Sequence, residues 1–258
     1  MYKKFNLENI NKIEAKAPYV QKYKNLFEEK QSQIRKQLDN YILQDGIIDG
    51  KKIQNEWFPS DIDVQIFISH SHKDRNLAIN LACWIYEHFR IVSFIDSCVW
   101  GYSNELLKKL DTKYCKKEDD LYDYNKRNYS TSHVHMMLAT ALNKMIDRAE
   151  CLFFLNTQNS IHFKGIEERT LSPWIYAELE MARTIQINEP KRLESHCGLF
   201  SEGGQVRKIN ESSDMQISYQ INTGQLTTID DKVLTMWKIK HTKEPSNNAL
   251  DTLYSITK

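Results

Sequence analysis

The chain of 258 residues carries 35 Lys and Arg against 34 Asp and Glu, a formal net charge of +1. That length suits one large domain with a sizeable core, and the even charge leaves no electrostatic footprint for nucleic acid or an anionic membrane. The five cysteines, Cys83, Cys98, Cys115, Cys151 and Cys197, are odd in number and contain no CxxC pair, which fits reduced thiols in a cytosol and neither a disulfide framework nor a zinc site.

The opening "MYKKFNLENINKIEAK" lacks the apolar stretch of a secretory leader, and no apolar run approaches the roughly 20 residues that span a bilayer. A soluble cytoplasmic protein is expected. Residues 17 to 44 read as a long charged helix whose thin stripe, Val20, Tyr23, Phe27, Ile34, Leu38, Tyr41 and Ile42, suits packing on a neighbour. "DG" at 45–46 and 49–50 closes that segment and "NEWFPSDID" leads into the core. The boundary falls near residue 60, giving an N-terminal helical extension over 1–60 and a main domain over 61–258.

Three short runs follow, "VQIFIS" (64–69), "IVSFID" (91–96) and "CLFFLN" (151–156), each apolar on both faces as buried parallel strands are. Between the first two, "DRNLAINLACWIYEHFR" has helical spacing. Before the third, "TSHVHMMLATALNKMIDRAE" predicts a helix capped by Thr131 or Ser132. Residues 101–131, charged and rich in tyrosine, read as an insertion between them, expected to cover the mouth of a site and govern assembly or access; the alternative is a solvated insertion touching neither. "LSPWIYAELEMART" (171–184) predicts a helix with Ser172 as N-cap and Pro173 in its first turn. "MQISYQINT" and "GQLTTID" read as strands, and "DDKVLTMWKIK" and "NNALDTLYSIT" as terminal helices completing the same sheet. Alternating strands and helices predict an α/β, doubly wound, mostly parallel sheet.

In such a sheet ligands bind beyond the carboxyl ends of the strands. Those ends supply Ser69, His70, Ser71 and His72, then Asp96 and Ser97, then Asn156 and Thr157. His70 and His72, two apart, have a spacing that allows both to face one side, where they either contact phosphate or ribose or merely cap the chain, whereas His133 and His135 diverge by about 200° on a helix and make a shared metal site improbable. Trp100 and Tyr102 either stack on a base or pack in the core. Glu178 lies in the middle of an apolar arc of Trp174, Ile175, Ala177, Leu179, Met181, Ala182 and Ile185, while Glu180 points away. A carboxylate there either faces a ligand or pairs within a structural network. There is no glycine-rich dinucleotide fingerprint and no phosphate loop.

The stretch "DVQIFISHSHKDRNLAINLACWIYEHF", followed by "FIDS" and later by "SPWIYAELE", resembles the bacterial branch of the Toll/interleukin-1 receptor (TIR) family. The likeness covers residues 61 to about 187 and extends to the end, where "VLTMW" and "LDTLY" resemble the tails of bacterial members. It implies a flavodoxin-like TIR fold and cleavage of the nicotinamide ribosyl bond of NAD, with Glu178 at the catalytic position and Trp174 at the aromatic one turn before it. Ser69, His70, Ser71, Asp96 and Trp100 are the expected substrate contacts, with no metal and no cofactor beyond NAD as substrate. The chemistry suits one carboxylate: charge developing on the ribose needs a nearby anion, and nicotinamide leaves as a neutral ring without a general acid. The resemblance further implies self-association through the TIR domain and an ADP-ribose-derived signal read by a separate effector in antiviral defence of the Thoeris kind. The long 101–131 segment departs from short-loop TIR domains. The alternatives are a non-enzymatic TIR interaction module and a nucleoside ribosyl-transferring enzyme of similar build.

Overall fold

The computed structural model describes residues 1–10, 12–21, 25, 38–42, 47–58, 64–95, 97–117, 120–164, 167–193 and 217–257, excepting the side chains of residues 38–39, 97–102, 163–164 and 167. In chain order its strands are β1 (Lys3–Leu7), β2 (Ile66–Ser69), β3 (Ser93–Ile95), β4 (Cys151–Leu155), β5 (His162–Lys164), β6 (Glu167–Thr170), β7 (Tyr219–Gln220) and β8 (Thr227–Ile229). Five of them build a parallel sheet in the order β3-β2-β4-β1-β8, and β5-β6-β7 form a small antiparallel sheet. Its helices are α1 (Gly50–Trp57), α2 (Arg75–Phe89), α3 (Ser97–Leu110), α4 (Tyr124–Arg148), α5 (Pro173–Thr184), α6 (Asp231–Lys243) and α7 (Ala249–Ile256).

Alternation along the strands divides the core. Phe5, Leu7, Ile66, Ile68, Ile95, Phe153 and Ile229 face one side, where they pack with buried residues of α2, α6 and α7. Phe67, Phe94, Leu152 and Phe154 face the other, against α1, α3, α4 and α5. Helices on both faces of a parallel sheet make the α/β fold doubly wound, as the hydrophobic runs predicted, and consistent with a flavodoxin-like fold. On the first face Phe89 stacks on Trp237 at 3.8 Å between centroids, and the Trp237 indole N–H donates to the Ala249 carbonyl at 2.7 Å, fastening α2, α6 and α7 together.

Several expectations are corrected. The first 60 residues do not stand apart as a helical extension, because β1 is an interior strand paired with β4 on one side and β8 on the other. Within the doubly wound sheet this N-terminal strand takes the position beside β4, between it and β8. Within 17–44 the described residues are helical at 17–21 and 25, but Leu38–Tyr41 is a 3-10 turn and Ile42 bridges Ile48; residues 22–24, 26–37 and 43–44 lie outside the described residues.

The segment 101–131 is not a loop. It holds the body of α3, a π-helical turn at Asp111–Cys115, a bridge from Lys116 to Tyr122, and the first turns of α4. Asp123, not Thr131 or Ser132, caps α4, accepting from the Lys126 amide at 3.0 Å. Buried Asp111 reinforces the junction by accepting from Arg127 Nε at 2.9 Å and from the Ser130 hydroxyl at 2.5 Å. Tyr124 and Tyr129 are exposed, so these turns lack the apolar spacing that announces a helix, and the caps and the buried carboxylate supply what packing does not. The two C-terminal helices form as expected, while of the two strands before them only β8 joins the main sheet.

Candidate functional site

From β2 the chain crosses to β3 through α2 on one face of the sheet; from β4 it leads into α5 on the other and on toward β8. Neighbouring strands whose connections leave in opposite directions form a topological switch point, the place where open α/β sheets bind ligands beyond the strands' carboxyl ends, here between β2 and β4. Glu178 arrives at this point. Ser172 caps α5, its hydroxyl accepting from the Ile175 amide at 3.3 Å, with Pro173 in the first turn. Ile175, Leu179 and Ala182 are buried against the sheet and carry Glu178 with them, at 1% exposure. Glu180 lies on the outer side and pairs with Arg183 at 2.7 Å.

Ser69 is the last residue of β2 and shares the face of Phe67, the face α5 covers. Its hydroxyl donates to Glu178 Oε2 at 2.6 Å, and Ser69 is itself 0% exposed. The bond joins residues 109 apart in sequence and fixes how the carboxylate lies. At 2.6 Å the bond lies at the short end of the range for hydroxyl donors, so Ser69 takes part in holding this carboxyl group in place.

The other expected contacts divide. Trp174 sits one helical turn before Glu178, partly buried, with its ring edge-on to His135 of α4 at 5.8 Å. His70 is 2% exposed with Nδ1 3.4 Å from the Ile68 carbonyl, whereas His72 is exposed in a 3-10 turn, so the two do not face one side as their spacing suggested. The chain leaves the extended conformation after Ser71, which ends the period-two alternation; Ser71 is the N-cap of that turn, and its backbone carbonyl accepts from the Asp74 amide at 2.8 Å. His133 and His135 diverge on α4, one against Tyr129 and the other against Trp174. Asp96 lies outside the described residues, as do the side chains of Trp100 and Tyr102 on α3.

Two polar groups at the same edge escaped sequence reasoning. Asp74 accepts from the Thr157 hydroxyl at 2.5 Å and from the Asn159 amide at 2.7 Å, tying the start of α2 to the turn after β4. Glu8, just past β1, accepts from the side-chain amides of Asn6 at 2.8 Å and Asn156 at 3.2 Å. The signal for the second lay in "FNLE", where Phe5 and Leu7 alternate with Asn6 and Glu8 as a half-polar strand end does. Among the described residues no group of three His, Cys, Asp or Glu is placed to hold a metal ion, and no helix is long and apolar enough to cross a membrane.

No family model matches the chain, and neither a curated protein nor a solved structure gives a significant match.

Proposed function

We propose that this chain is a TIR-type NAD nucleosidase or cyclase in which Glu178 stabilises the ribosyl cation formed as nicotinamide departs. The observation that carries the reading is the buried Glu178 carboxylate held by Ser69 at the switch point between β2 and β4. In a site shielded from water a fixed carboxylate interacts strongly with positive charge developing on a ribose. Trp174, one turn before it, supplies an aromatic wall beside His135. The sequence likeness in "FISHSHKD" and "SPWIYAELE" supports the same reaction class. The product is an ADP-ribose-derived nucleotide for a separate effector, made in the cytoplasm during antiphage defence; this part rests on the likeness alone.

At 1% exposure, Glu178 meets substrate only when the elements around it part, which fits an enzyme that is closed at rest and opened by self-association. The same burial supports a second reading, an interaction module in which the bond between Ser69 and Glu178 is purely structural. Incubation of the purified chain with NAD, alone and at concentrations that drive assembly, distinguishes them by nicotinamide release. The enzyme reading expects release that Glu178→Gln abolishes. Release that survives Glu178→Gln removes Glu178 from the chemistry, and absence of release from an assembled sample favours the module.

A further inference from the structure

Resting on the NAD reading, we propose that Asn6 and Glu8 of the N-terminal strand form the subsite for the second ribose of the dinucleotide, and that they select NAD over its 2′-phosphorylated counterpart, NADP.

The register of the sheet places this pair relative to Glu178. Ser69 on β2 and Asn6 on β1 are both partners of Phe154 on the intervening β4. Phe5 and Leu7 belong to the opposite side of the core, so Asn6 and Glu8 share the face of Ser69, Phe154 and Asn156. Two inter-strand steps separate Asn6 from Ser69, about 10 Å between backbones. A dinucleotide carries two ribose diols with a pyrophosphate between them and can extend over such a separation, whereas a single nucleoside cannot place a diol at both.

The chemistry of the pair sets what it binds. Glu8 Oε1 accepts from both Asn6 Nδ2 and Asn156 Nδ2, so the carboxylate is held from two strands. Because the carboxylate only accepts, the Asn6 amide must turn its NH2 toward Glu8 and its carbonyl elsewhere. That carbonyl oxygen, Oδ1, is buried and meets no donor among the described residues, in a side chain whose residue is 3% exposed. A buried acceptor without a donor is costly. The group that completes it is a donor, and with a carboxylate alongside the fitting donor is a pair of vicinal hydroxyls. An acidic side chain beyond a strand's carboxyl end meets the ribose diol of dinucleotides in other open α/β sheets. A phosphate on the 2′-hydroxyl removes one of those donors and brings negative charge against Glu8.

The test is calorimetric titration of the full chain carrying Glu178→Gln, to prevent turnover, at concentrations that drive assembly, with NAD, NADP and NAD lacking the adenosine 2′-hydroxyl. NAD is expected to bind about tenfold or more tighter than either analogue, the discrimination that one hydrogen bond to a charged group supports. Adding Glu8→Gln is expected to bring the NAD and NADP affinities within about threefold of each other, with Glu8→Asp restoring part of the preference. This ratio is insensitive to a general loss of stability, and the deoxy analogue tests the subsite with Asn6 and Glu8 intact, even where Glu8→Gln does not fold. Tight NAD binding with no preference over the deoxy analogue, or a preference that Glu8→Gln leaves intact, overturns the subsite and leaves the NAD reading standing. Failure of every dinucleotide to bind overturns both.

Discussion

Replacing Ser69 by Ala removes one hydroxyl from a fully buried position and withdraws from Glu178 Oε2 the donor that meets it at 2.6 Å. A hydrogen bond to a charged group contributes about 1.5–3 kcal/mol, so the variant is expected to lose stability by that amount. In a chain of this size each kcal/mol corresponds to about 2–4 °C, which places the fall in melting temperature at about 3–12 °C. Glu178→Gln behaves differently: its amide oxygen still accepts from Ser69 while the buried charge disappears, so stability is unchanged or higher, as at sites kept for chemistry and not for folding. In the double variant Ser69→Ala, Glu178→Gln, the Ser69 substitution is expected to cost less than it does alone, with a coupling of about 1 kcal/mol or more. Scanning calorimetry of the four proteins at pH 7 measures all of this, and nicotinamide release by the same samples shows whether a misplaced carboxylate slows cleavage. A Ser69→Ala variant melting within about 1 °C of the parent would refute the assigned bond. A loss of about 3 kcal/mol on Glu178→Gln would show that the carboxylate holds the fold together.

Asp111→Ala takes away the acceptor for Arg127 Nε and the Ser130 hydroxyl at the π-helical turn, and is expected to cost about 1–3 kcal/mol in urea unfolding; no loss would mean that α3 and α4 are joined by packing alone. His88 lies edge-on to Trp84, where burial and then Lys238 lower its pKa, Glu87 opposing, with Lys16 a further nearby cation. A group that binds protons less readily when folded makes stability fall as pH drops below the ordinary histidine value of 6.5 toward the lowered folded value. The melting temperature should decline from pH 7 to pH 5 less steeply in His88→Gln than in the parent, and identical slopes would remove His88 as a contributor. Cys151 is fully buried, and burial followed by the nearby Glu150 carboxylate pushes its thiol well up, so iodoacetamide at pH 8 should leave it unmodified in the native chain and alkylate it in denaturant; rapid native labelling would contradict its place in the sheet.

Much of the scaffold was legible because its signals are local. The runs at 64–69, 91–96 and 151–156 are apolar on both faces, which only a strand covered on both sides tolerates, and they became β2, β3 and β4. Ser172 and Pro173 marked the start of α5 within one residue, and the 100° spacing that put Glu178 among apolar neighbours needed no knowledge of the rest of the chain. β1 was missed because five residues beginning with two lysines offer too few apolar positions to stand out, and its place in the sheet comes from pairing with a strand nearly 150 residues away. The start of α4 was missed because its first turns are held by Asp123 and Asp111 and not by a hydrophobic stripe.

Taken alone, then, the sequence determined the parallel α/β class and that Glu178 is carried on the buried side of its helix, since both follow from the repeat of one strand or one helix. Only the tertiary structure decided that Ser69 is the side chain meeting Glu178, and that Asn6 lies in the same row of the sheet as Ser69 with Glu8 just past the end of its strand. These depend on strand order and register. Those are set by the combined packing of both faces of the sheet, so no window of sequence contains them.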